Sequence, residues 1–224
     1  MVLPLDKTGT TLGPHGTAAG PWEAPSMEYL VLMTTRLPHR TPQLAIDDIH
    51  AREDAHARKL ASQGHLLRLW RPSPQPGPWR TLGLFAADDG EQLDTVLTSM
   101  PLHAWRTDQV TPLSRHPNDP ALRAGPGATE FLTTCTVSIP PGTPAQTVQD
   151  TKAREAEREY ELAGQGRLMR LWVLPGPGRS LGLWRARDAA EMLAILTSLP
   201  LDAWMTVQIT PLARHPSDPA TART

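Results

Sequence analysis

Two hydrophobic periods take turns along this chain. From about residue 28 to 36 the apolar positions, Leu30 and Leu32 among them, alternate as in a strand with two unlike faces, and Pro38 closes the run. The spacing then lengthens to that of a helix: Ile46, Ile49, Ala57 and Leu60 recur on one stripe, with Thr41 as the expected N-cap, Pro42 at the first helical position and Gly64 as the stop. HLLRLWR and TLGLFA are strand-like runs on either side of a Pro/Gly connection. Asp89 is placed to cap a second helix that reaches Ser99 and is ended by Pro101, and HAWRTDQVTPL reads as a last strand. The order βαββαβ is ferredoxin-like, an antiparallel sheet with helices on one face.

The same pattern then runs again. Residues 28–71 align without a gap to 130–173, with 18 of 44 positions identical, and 82–120 align to 181–219 with 22 of 39 identical. The offset changes only where RPSPQPGPWR shortens to VLPGPGR, a connection that tolerates length change. The chain therefore divides into an irregular, Gly/Pro/Thr-rich extension (1–25), a first module (26–120), a short linker (121–128) and a second module (129–219). LLRLWR carries large groups on both faces, Leu67 and Leu69 on one and Arg68 and Trp70 on the other, so a single module would leave apolar surface uncovered. The expected architecture is α+β: two tandem ferredoxin-like modules packing sheet to sheet as an intrachain dimeric α+β barrel.

Composition narrows the partners. With 22 Lys+Arg against 23 Asp+Glu and no block of like charge, nucleic acid is not an expected partner. No apolar run approaches the roughly 18 residues of a membrane span, and the N-terminus lacks a signal-like stretch, so no membrane partner and a cytoplasmic location are expected. The single cysteine, Cys135, excludes an internal disulfide and any cysteine-based metal site. No set of His, Asp and Glu has metal spacing and no Gly-rich phosphate loop follows a strand, so no cofactor is expected.

AREDAHARKLASQG, HLLRLWR, TSMPLHAW and VTPLSRHP, each with its counterpart in the second module, together resemble the muconolactone Δ-isomerase family. The resemblance covers 27–118 and recurs over 129–217, as two fused family members. It implies ferredoxin-like subunits that pair and assemble into larger homo-oligomers, and a reaction that shifts a double bond in a small unsaturated lactone by moving a proton. It carries a helix carboxylate onto Glu53 and Glu155, and an Arg-His-Pro motif onto residues 115–117 and 214–216. Leu66, Leu67 and Leu82 stand where family members commonly carry basic or aromatic residues. With the duplication, this favours a biosynthetic tailoring isomerase or cyclase over a catabolic enzyme.

The residues themselves offer a chemistry. Glu53 lies on the apolar stripe of its helix, and Glu155 holds the same place in the second copy; a carboxylate drawn into such a setting becomes less acidic and can take and return a proton near neutrality. The bland reading is a carboxylate paired to Arg52, Arg68 or a neighbouring strand. Arg68 with Trp70, and Arg170 with Trp172, could line a cavity between the sheets and bind substrate, or be stacked cations joining the halves. His116 and His215 are second-rank substrate-binding candidates beside a turn or interface role. His50, His56 and His65, absent from the second copy, read as rim positions, and seven tryptophans suggest core packing or an aromatic-walled pocket. The competing functions are a non-catalytic small-molecule binding or scaffold protein, and a cofactor-free oxygenase of similar barrel shape.

Overall fold

A computed structural model describes residues 27–72, 79–120 and 129–221. The extension (1–25), the linker (121–128) and most of the first Pro/Gly connection lie outside the described residues. The first module runs β1 (Met27–Thr35), α1 (Gln43–Ser62), β2 (Leu66–Pro72), β3 (Trp79–Ala87), α2 (Gly90–Thr98) and β4 (Arg106–Arg115). The second repeats it as β5 (Thr129–Val137), α3 (Ala145–Gly164), β6 (Leu168–Val173), β7 (Arg179–Ala186), α4 (Ala189–Thr197) and β8 (Met205–Arg214). All strand pairs are antiparallel, and the eight strands close in the order β1-β3-β2-β8-β5-β7-β6-β4. Closure comes from two junctions between modules, β2 with β8 and β4 with β6. It removes the open sheet edges that an isolated module would expose.

Alternation along the strands builds three apolar layers. Tyr29, Val31 and Met33 of β1 face outward to α1 and α2 with Leu69, Phe85 and Leu97. Leu30 and Leu32 face inward, where Trp70, Leu84, Leu132, Trp172 and Leu183 fill the barrel from both modules. Phe131, Leu162, Trp184 and Met192 form the matching outer layer under α3 and α4.

Local details depart from the simplest reading in three places. The N-cap of α1 is Pro42, and Thr41 turns its hydroxyl back to the Pro38 carbonyl (2.8 Å), a local bond that competes with capping. Residues 103–105 form a 3₁₀ turn before β4, which therefore starts at Arg106. β2 contains a register shift between Leu66 and Arg68, so Leu66 and Leu69 face the helices while Leu67 joins Trp70 inside the barrel. Asp89 caps α2 by accepting from the Gln92 amide (2.8 Å), as its position suggests, and Gly64 takes the left-handed conformation (φ 81°) just past the end of α1.

Candidate functional site

The inner face of α1 brings Glu53 and Ala57 over the outer side of the first sheet. There they form a cleft with Met33, Thr35 and Thr81 below, Leu102 and Arg106 at one end, and His215 and Ser217 at the other. His215 and Ser217 belong to the second module, so the first module's cleft is completed by the other half of the chain. It holds about 390 Å³ of empty space, part of it open to solvent. Between the sheets, where one of the two readings of Arg68 and Arg170 places a cavity, large buried side chains of both modules pack together.

Glu53 is held at both oxygens. Its Oε2 accepts from the Leu102 amide (2.9 Å), and Oε1 lies 3.5 Å from Nη1 of Arg106. Burial pushes the carboxyl above its ordinary value against the pull of that amide, Arg106 and His56, while neighbouring Asp54 adds to the rise. Arg106 is itself gripped by Asp108 through Nε (2.7 Å) and Nη2 (2.8 Å).

His215 presents a defined tautomer. Its Nδ1 accepts from the Ser217 amide (3.2 Å), which leaves the hydrogen of the neutral ring on Nε2. Burial, with Arg71 and His50, pushes the imidazole below its ordinary value against Asp54 and Asp218, so the neutral form prevails near pH 7. The Ser217 hydroxyl donates to Asp54 of α1 and ties the incoming tail to that helix.

The second module repeats the frame with other side chains. Glu155 accepts from the Leu201 amide (2.9 Å), as Glu53 does from Leu102, and burial raises it too. Met205 stands in the place of Arg106, Val207 in that of Asp108 and Ala156 in that of Asp54. Among the described residues no basic group pairs with Glu155. Glu159 replaces Ala57, is buried, and accepts from Asn118 of the first module's tail (2.6 Å). Burial lifts its carboxyl to about 7, with a further push from Glu155 and an opposing pull from Asn118.

The model of the muconolactone delta-isomerase family matches twice, over residues 27–119 and 129–218. The chain belongs to the muconolactone delta-isomerase family. Within that family it is 37% identical over 92 residues to the muconolactone Delta-isomerase of Cupriavidus pinatubonensis, covering 41% of this chain and 97% of that protein. It is 36% identical over 81 residues to muconolactone Delta-isomerase 1 of Acinetobacter lwoffii, covering 36% and 84%. Each relative thus corresponds to one module. A heme-binding protein of Thermus thermophilus superposes on 87% of this chain and 95% of its own with a TM-score of 0.57 at 13% identity, a likeness of fold alone.

The remaining candidate residues sit elsewhere in the barrel. Arg68 is buried and bound to Asp218 (Nε, 3.1 Å) and Glu130 (Nη2, 2.7 Å), and Glu130 also accepts from Trp70 Nε1 (2.6 Å) and Arg185 (3.2 Å). Burial alone would raise the Glu130 carboxyl, but Arg68, Trp70 and Arg185 together hold it below its ordinary value. Arg170 makes the same set with Asp119 (3.0 Å) and Glu28 (2.9 Å from Nη1), and Trp172 Nε1 donates to Glu28 (2.6 Å). Each guanidinium also lies 4.7 Å from the centre of its tryptophan ring. Neither arginine lines the cleft; both join one module to the other.

The repeated RHPxDP is explained by this exchange. Its Asp reaches the arginine of the opposite module and accepts from the following amide, Asp218 from Leu69 (3.1 Å) and Asp119 from Leu171 (2.9 Å). His215 faces the opposite module's first helix, where it lines the cleft with Glu53 and Asp54, and His116 Nδ1 accepts from the Asn118 amide (3.2 Å). His50 differs from the rim position expected of it: its ring meets Trp79 edge-on at 5.0 Å and its Nε2 is buried. His56 bonds Ser99 and His65 bonds the Ala86 carbonyl. No tryptophan lines the cleft. Arg106, Asp54 and Ser217 were not candidates in the sequence, since all three differ between the copies and fall outside the shared motif. Their divergence is the signal that could have found them.

Proposed function

We propose that this chain is an isomerase that moves a proton, and with it a double bond, in a small unsaturated lactone or related conjugated carbonyl compound, and that the first-module cleft is its working site. The observation that carries the reading is the pairing in one cleft of a half-buried carboxylate, Glu53, with a neutral imidazole that presents Nε2–H, His215. Glu53 takes a proton from the saturated carbon at the far end of the conjugated C=C–C=O system. The electron pair passes to the carbonyl oxygen, where the His215 N–H holds the enolate charge. The protonated Glu53 then returns the proton at the carbon next to the carbonyl, so the net change is a shifted double bond. A neutral donor suits this role better than a cation of low pKa, because it polarises the carbonyl without surrendering its proton. Family membership supports the reaction class, and the resemblance carries the family's helix carboxylate onto Glu53. Arg68, Trp70, Arg170 and Trp172 take no part in this scheme, and Glu155 and His116 hold the equivalent positions in the repeat.

The test is to incubate the protein with muconolactone in D₂O and follow exchange and isomerisation by NMR. Isomerisation that His215→Ala slows and Glu53→Gln removes is expected. No turnover of muconolactone or of any other butenolide would overturn the proposal and leave a binding protein.

A further inference from the structure

We infer that Arg106, held in place by Asp108, is a positioning residue that keeps Glu53 oriented and ionised as the base of the first-module site, and that Met205 leaves the second-module site without this device. The inference rests on the isomerase reading for its consequence, but not for its test.

The geometry points to electrostatic control more than to a bond. Arg106 commits Nε and Nη2 to Asp108, gives Nη2 also to the Leu97 carbonyl (3.2 Å) and rests Nη1 against Met100 Sδ (3.4 Å), which leaves Nη1 3.5 Å from Glu53 Oε1. At that distance the guanidinium acts on Glu53 as a charge. The charge is buried, so screening by solvent is weak. Asp108 is the counterweight: it fixes the guanidinium and offsets part of its field at Glu53. The other groups facing the carboxylate are the Leu102 amide, His56 and Asp54 on α1, and His215 across the cleft.

The second module is an internal control for the alternative that Arg106 merely builds the turn before β4. Met205 and Val207 replace the pair there, yet the turn keeps the same form and the Leu201 amide still meets Glu155 at 2.9 Å. The frame does not need the arginine; what changes with it is the charge beside the carboxylate.

The experiment is an NMR titration of ¹³C-labelled glutamate side chains in the full-length protein, with the Glu53 signal assigned by its loss in Glu53→Gln. Arg106→Met should raise the Glu53 midpoint by about one pH unit, and Asp108→Asn should lower it, since the same cation then acts without its counterweight. Arg106→Lys should restore most of the effect, and Met205→Arg should lower the Glu155 midpoint. If Arg106→Met does not fold, the Asp108→Asn and Met205→Arg titrations still decide. Midpoints that stay put in these variants, or that move the same way in Arg106→Met and Asp108→Asn, would overturn the inference. Should the wild type turn over no lactone, the isomerase reading fails while the titration still judges Arg106. Where it does turn over, the acid limb of the rate profile should follow the Glu53 midpoint.

Discussion

The two halves of this barrel share a frame and differ in the charge that the frame carries. In the first, a carboxylate meets an amide, an arginine and a cleft; in the second, a matching carboxylate meets an amide and another buried carboxylate, with a methionine at the arginine's position. The backbone positions are the same, so the difference lies in a few side chains: Arg106 against Met205, Asp54 against Ala156, Ala57 against Glu159. Duplication supplies two copies of a site, and substitution at its edges can keep one suited to proton transfer while the other changes. The tails enforce the pairing, since His215 and Ser217 wall the first module's cleft and Asn118 bonds Glu159 of the second module's first helix.

The largest effect expected on stability tests the junctions. Arg68→Met would strand Glu130 and Asp218 beside each other in a buried setting and should cost about 3–5 kcal/mol in denaturant unfolding. Arg170→Met should cost less, because Glu28 is 20% exposed where Glu130 is 3% exposed. Equal losses would mean that burial does not set the strength of these clusters.

Glu159 gives a pH-dependent contrast. The folded chain binds its proton more tightly than the unfolded chain, so its contribution to stability falls as pH rises from about 4.5 to about 7 and is then level. Glu159→Gln should therefore raise stability above pH 7 by on the order of 3 kcal/mol and leave it unchanged near pH 4, as read from urea midpoints at the two pH values. A gain at both would point to a cause other than titration. The smallest effect concerns the latches: Ser217→Ala removes the hydroxyl that binds Asp54 and should cost about 1 kcal/mol, whereas Asn118→Ala in the first module's tail should cost more above pH 7 than near pH 4, because Asn118 serves the ionised Glu159.

The order of elements and the barrel were legible because strand and helix periods differ and because each module shows them twice. The register shift in β2 was not, since LLRLWR alternates in sequence whether or not a residue bulges. Arg68 was visible as a stacked cation beside Trp70, but its carboxylate Asp218 lies 150 residues away, and no local pattern predicts a bond at that distance. Glu53 stood out as a charge on an apolar stripe. Arg106 did not, because comparing the copies draws attention to what they share, while this residue matters through what they do not. His215 was recognisable as a candidate, yet its place in the opposite module's cleft depends on closure of the barrel, a non-local event.

The central claim is that the first-module cleft works and the second does not carry the same chemistry. It is tested most directly by measuring muconolactone isomerisation for the wild type, Glu53→Gln and Glu155→Gln at pH 7. The account predicts a loss of about 10²–10⁴-fold in Glu53→Gln and a rate close to wild type in Glu155→Gln. Loss in Glu155→Gln with activity kept in Glu53→Gln would contradict it.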